Sequence, residues 1–195
     1  MNNQTASAKM LAKPIMTALF AALTAAGCFI SVPLPGGVPV VIQDMMALVS
    51  GMILGPLYGG LAVALFLVLG CIGLPVFSGK AGIQIILNGP TGGFLIGYGI
   101  GAISGGLFLW ATLRPAAKPA APQWLQWVLI AAAGLLANIM LFTFGLAGFM
   151  RVTGSGLGKA VSLALVPFIP GNLIKQVVMA LLVKKFRPIV HNYID

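Results

Sequence analysis

Lys175 stands inside an apolar run, PFIPGNLIKQVVMALLVKKF (residues 167–186), with no acidic residue beside it. Ten residues separate it from Lys185 at the basic end of that run, about 15 Å along a helix at 1.5 Å per residue. That depth is close to mid-bilayer, beyond the easy reach of a snorkelling lysine. A cation at the centre of a membrane helix costs about 2.5–3.5 kcal/mol on insertion scales, and such residues tend to mark ligand or ion paths. Asn172 lies one turn earlier on the same helix face. Pro167, Pro170 and Gly171 interrupt the helix just above the pair. Three roles stay open for the ammonium: pairing with Asp44, capping by carbonyls freed at the prolines, or contact with an anionic or carbonyl-bearing solute.

Other groups that do chemistry are scarce. The chain holds two carboxylates, Asp44 and Asp195, and no Glu. Acid–base hydrolysis by paired carboxylates is therefore close to excluded. The single histidine, His191, falls in the C-terminal tail away from any partner in sequence, so no catalytic set emerges. The densest signal is GLPVFSGKAGIQIILNGPTGGFLIG (73–97), with seven glycines and two prolines. Such a stretch cannot be one continuous helix. Irregular backbone at membrane depth persists only when it is buried in protein or lines a cavity. It is not a phosphate loop, because Leu74 replaces the first glycine of G-x-x-x-x-G-K-[ST] and Ala81 replaces the hydroxyl residue. Gln43, Gln84, Asn88, Thr91 and Asn138 are further polar groups that can line a cavity, with an interhelical hydrogen bond preferred for Asn138.

The elements that must position these residues are membrane helices. Of 195 residues, 59% are hydrophobic and 7% charged, against about 25% charged in soluble domains. Six apolar spans are predicted, at 14–32, 40–55, 57–77, 91–113, 124–149 and 160–184. The expectation is a single all-α transmembrane domain over 1–195, with a cytoplasmic segment 1–13, a cytoplasmic tail 186–195, and a location in the plasma membrane. Basic residues set the orientation. An internal N-terminus puts Lys9, Lys13, Arg114, Lys118, Lys184, Lys185 and Arg187 inside, and Lys80, Arg151 and Lys159 outside, which favours N-in, C-in. The net charge of +9 punctuates the ends of apolar runs rather than forming a stripe, so no nucleic acid is expected. Residues 9–28 run into AAGC, as a lipoprotein signal does, but Ala25 sits where a larger aliphatic residue is preferred and further spans follow, so a membrane helix is expected. Cys28 and Cys71 lack metal-binding spacing; two buried thiols are preferred over a disulfide.

Two small-residue seams stand out at four-residue spacing: Ala18, Ala22 and Ala26, and Gly97, Gly101 and Gly105. Each lines a helix face on which another backbone can approach closely. Packing within the monomer is preferred for the glycines. The alanine seam is open between internal packing and a docking face.

LGPLYGGLAVALFLVLGCIGLPVFSGKAGIQIILNGPTGGFLIGYGIGA (54–102), VPFIPGNLIK (166–175) and VPVVIQ (38–43) together closely resemble the BioY family. Its members are biotin-specific substrate-binding (S) components of energy-coupling factor (ECF) transporters, and the likeness runs over nearly the whole chain. The resemblance implies a six-helix bundle holding one biotin near the external face, under a glycine-rich lid between helices 3 and 4 (residues 78–90). It implies as partners a transmembrane coupling subunit and two cytoplasmic ATPases, with no enzymatic activity and no cofactor in this chain. It assigns polar ligand contacts to Asn172 and Lys175, and docking of the coupling subunit to Ala18, Ala22 and Ala26; the expected ligand-binding set is these two with Gln84, Asn88, Thr91, Gly92 and Phe77. In the family pattern an aspartate usually stands where this chain has Asn172, and a small residue where it has Lys80. An S-component for another vitamin-like solute, and a solitary facilitator working without ATPases, are the alternatives.

Overall fold

The computed structural model describes residues 2–33, 38–113 and 122–194; Arg114 and Lys118, which enter the orientation argument, lie outside the described residues. Helix α1 (Asn2–Ala26) runs into a 3-10 turn, Gly27–Phe29. A two-stranded antiparallel ribbon follows, β1 (Ser31–Val32) against β2 (Val40–Val41), in the register Ser31 opposite Val41. Then come α2 (Gln43–Cys71), a short α3 (Ile83–Asn88), α4 (Gly92–Thr112), α5 (Gln123–Thr153), α6 (Leu157–Ala164) and α7 (Ile169–Ile194). Among the described residues, five helical stretches are long and apolar enough to cross a membrane.

The second of these is a hairpin rather than a rod. Gly55 takes φ 84°, ψ 175° ahead of Pro56, conformations that end a helix. Residues eight apart in a straight helix lie about 12 Å apart, yet a Cβ placed on Gly59 would collide with the backbone of Gly51. The Ser50 hydroxyl lies 2.6 Å from the Ala47 carbonyl and 3.2 Å from that of Gly59, joining the two arms. The arms match the predicted spans 40–55 and 57–77, so six apolar segments make up the bundle. The first arm is buried on all sides from Ala47 to Leu54, as expected of a helix whose apolar residues run round its whole circumference.

α4 packs mainly between α2 and α5. Its glycine seam is the reason the backbones can meet. A Cβ on Gly97 would strike the Leu141 carbonyl of α5, and one on Gly101 would strike Leu48 and the Ala137 carbonyl. The glycines thus serve internal packing, as expected. Ala18, Ala22 and Ala26 are instead exposed, beside exposed Leu19 and Leu23, while Phe20, Ala21 and Thr24 fill the buried side of α1. Internal packing does not use the alanine seam.

The last predicted span, 160–184, divides at Pro167 into α6, a 3-10 turn (Val166–Phe168) and α7. α7 continues as helix to Ile194, through Pro188 and the stretch expected to be a tail. On α7, Leu173, Ile174, Val177 and Leu181 face outward, whereas Met179 and Val183 are buried. Lys175 lies four residues before Met179 and so shares the inward face. Cys28 and Cys71 are free thiols.

Candidate ligand-binding site

The predicted break in the last helix and the start of α2 come together at one pocket, of about 440 Å³ of empty space including its outward opening. Its walls come from six places. Val41 of the ribbon, with Val38 and Pro39 just before β2, forms one side, and Gln43 and Asp44 at the start of α2 form its polar end. Phe77 and Ser78 close it from the turn that precedes α3. Thr91, Phe94, Leu95 and Tyr98 of α4, Leu141 and Phe142 of α5, and Phe168 supply the rest.

The apolar wall is an aromatic cluster. Phe94 stacks on Phe168 with ring centres 6.3 Å apart and planes at 15°, and Phe142 stands edge-on to both at 5.9 and 6.0 Å. A flat face of this kind accepts the body of a small ring system. Phe168 is positioned by the proline turn, where its N–H donates to the Leu165 carbonyl at 2.9 Å. Phe77 is placed by a tight turn through Ser78 (φ 51°) and Gly79 (φ 81°), closed by paired backbone bonds with Lys80 of 2.9 and 3.0 Å. Its ring meets Phe66 edge-on at 5.5 Å, and a Cβ on Gly70 would overlap it.

The polar end is built around one ion pair. Lys175 Nζ donates to Asp44 Oδ2 at 2.7 Å and to Oδ1 at 2.8 Å, with the two side chains only 11% and 9% exposed. The Met45 N–H also donates to Oδ1, at 2.6 Å. Beside it, the buried Gln43 side chain donates to the Val76 carbonyl at 2.6 Å, tying the start of α2 to the turn that carries Phe77. The ion pair answers the cost of a cation at this depth: the ammonium is buried in protein and neutralised, not turned to acyl chains.

Of the residues assigned from sequence, the structure brings Phe77 and Thr91 to the pocket and joins Lys175 to its polar end through Asp44. Lys175 itself and Asn172 are not wall residues, and Asn172 is half-buried on the same face of α7. Gln84 and Asn88 are exposed on α3, where Asn88 donates to Gln84 at 2.7 Å. Gly92 is buried under α3, with the Ile85 and Ile86 carbonyls where a side chain would be. α3 is further held by Arg151 of α5, which donates to the Leu87 carbonyl at 2.5 Å. Asn138 makes the expected interhelical bond, donating to Gln176 of α7 at 3.1 Å. The residues not reached from sequence are chiefly aromatic: Phe94, Tyr98, Phe142 and Phe168 look like any core residue of an apolar helix. Among the described residues no group of three His, Cys, Asp or Glu exists that would hold a metal.

Comparison with known proteins places this architecture. The family model described as the BioY family matches residues 1–192. The chain belongs to the BioY family. It is 35% identical to the biotin transporter BioY of Thermotoga maritima, over 89% of this chain and 94% of that one. It is 36% identical to the biotin transporter BioY of Rhodobacter capsulatus, over 87% of this chain and 92% of that one. Among solved structures, the S-component for biotin from an ECF-type ABC transporter superimposes with a TM-score of 0.79 and 26% identity, covering 96% of this chain and 94% of that chain. This BioY-family chain is accordingly a multi-pass membrane protein, a transporter component rather than an enzyme.

Proposed function

We propose that this chain is the biotin-binding S-component of an ECF-type vitamin uptake transporter. The observation that carries the reading is the near-complete superposition on the S-component for biotin, in a chain whose sequence relatives are biotin transporters over almost their whole lengths. The pocket suits that ligand. An aromatic wall of Phe94, Phe142 and Phe168 faces a polar end at Gln43 and Asp44, the combination of apolar body and few polar anchors that small-ligand sites use. Phe77 and Thr91 are direct wall contacts in this reading, and Gly92 lets the short helix α3 sit close over α4. Segment 78–90, with Gln84 and Asn88, acts as the lid, and Lys175 with Asn172 completes the polar end from α7.

Nothing in such a chain consumes energy, so transport falls to partners: a transmembrane coupling subunit and two cytoplasmic ATPases. The exposed Ala18, Ala22 and Ala26, beside exposed Leu19 and Leu23, offer a smooth face on which the coupling subunit docks. The orientation is N-in, C-in, with the pocket and lid outside.

Calorimetry of the purified protein with biotin, alongside mass spectrometry for a co-purified biotin mass, tests the assignment. Saturable 1:1 binding of biotin is expected. Binding of a different vitamin in its place, or uptake of biotin by proteoliposomes containing this chain alone, overturns the S-component reading for biotin.

A further inference from the structure

We propose that Asp44 is the acceptor that recognises neutral N–H groups of the ligand, and that Lys175 acts behind it as a positioning residue that keeps the carboxylate ionised and in place. The proposal rests on the biotin reading and names how the polar end of that site selects.

The placement of the two charges carries the argument. Asp44 forms part of the pocket wall and Lys175 does not, although the ammonium spans both carboxylate oxygens at 2.7 and 2.8 Å. A ligand entering the pocket therefore meets the carboxylate first. An ionised carboxylate has about four acceptor positions. Oδ1 accepts from Lys175 and from the Met45 N–H, whereas Oδ2 accepts from Lys175. Acceptor capacity remains on Oδ2.

The charge balance decides what kind of group fills it. The pair is buried and already neutral overall, so an incoming ammonium would find its counter-charge taken and would face Lys175. An incoming carboxylate would face Asp44. A neutral donor needs neither displacement and forms a charge-assisted hydrogen bond. Biotin offers such donors in the N–H groups of its ureido ring, while its tail ends in a carboxylate. The ring N–H groups therefore seat at Asp44, and the tail carboxylate does not pair with Lys175. Asp44 is the carboxylate on the pocket wall, and the neutral amide oxygen of Gln43 beside it is a weaker acceptor than an ionised carboxylate.

The test is a calorimetric comparison on the wild-type protein of biotin, biotin methylated on each ureido nitrogen in turn, and biotin methyl ester. At least one N-methyl analogue is expected to bind about tenfold or more weakly, about 1.4 kcal/mol, and the ester within about threefold of biotin. The same ligands are then applied to Asp44→Leu combined with Lys175→Met, which leaves no buried charge, the exchange that most often preserves a fold. In that variant the gap between biotin and its N-methyl analogue is expected to close. Three results overturn the proposal alone: both N-methyl analogues binding like biotin, a gap that persists in the double variant (a steric clash), or a tenfold loss on esterification (Lys175 holding the tail). Failure of the wild-type protein to bind biotin overturns the function reading as well. Where the variant does not fold, the wild-type protein still decides through cyclic carbamate analogues of biotin, in which oxygen replaces one ureido N–H without added bulk: at least one is expected to bind about tenfold more weakly, and binding of both like biotin overturns the proposal.

Discussion

Lys175 on α7 and Asp44 on α2 are separated by 131 residues in sequence and by 2.7 Å between Nζ and Oδ2. The contact joins the buried first arm of the α2 hairpin to the last helix at the polar end of the pocket. If the polar end binds ligand as proposed, stability and ligand recognition are coupled at one point.

Truncating one partner leaves the other charge buried and unpaired. Lys175→Ala should lower stability by about 3–5 kcal/mol, read as a drop in thermal midpoint in detergent. It should also weaken biotin binding at least about tenfold, roughly 1.4 kcal/mol. Asp44→Leu with Lys175→Met should recover most of the stability and little of the binding. Equal losses of stability in the single and double variants would mean that the pair contributes packing rather than charge.

The α4–α5 contact depends on absent side chains. Gly97→Val puts two methyl groups against the Leu141 carbonyl, and overpacking of this kind costs about 1–3 kcal/mol. A lowered thermal midpoint is expected. The same substitution at Gly158, where a side chain meets nothing within 4 Å, should be tolerated.

α5 and α7 are held together inside the bundle by a pair of amides. Asn138 donates to Gln176, and Gln176 donates to the Ala131 carbonyl at 2.8 Å. Asn138→Leu should cost about 0.6 kcal/mol, with about 1.7 kcal/mol as an upper bound, the range measured for membrane interhelical bonds. Because Gln176 neighbours Lys175, biotin affinity should fall along with stability. Calorimetry beside a thermal scan checks both.

Arg151 holds α3 through the Leu87 carbonyl. Arg151→Ala should leave global stability within about 0.5 kcal/mol, as for most surface changes. Hydrogen exchange of residues 83–88 should quicken, since local opening is governed by the few contacts that hold a segment. Unchanged exchange would show that α3 is held by its packing over Gly92 alone.

The exposed alanines give a prediction of a different kind, about assembly. Ala22→Trp sits on the outer face of α1 and should leave biotin binding by the isolated chain intact. Uptake by cells that supply the coupling subunit and ATPases should fall to background. Retained uptake would place the docking face elsewhere.

Much of this molecule is determined locally. Long apolar runs with so few charges can form little but membrane helices, because backbone polar groups in lipid must bond within their own segment. The stop at Gly55–Pro56 and the interruption at Pro167 are likewise backbone properties, readable residue by residue. So is the glycine seam of α4, whose four-residue spacing places it on one face wherever the helix goes. The family could be recognised for the same reason, since its glycine and proline pattern reflects those local demands.

What the chain could not disclose by itself was partnership across distance. Three roles were open for Lys175 until the bundle set Asp44 against it, and a lysine on a helix says nothing about which helix it will face. The pocket walls show the same limit. Phe94, Phe142 and Phe168 come from three elements, and a phenylalanine within an apolar helix is the same residue whether it faces lipid, core or ligand. Side-chain surroundings depend on how helices rotate and pack, an energy summed over many weak contacts, and only the assembled bundle resolves it.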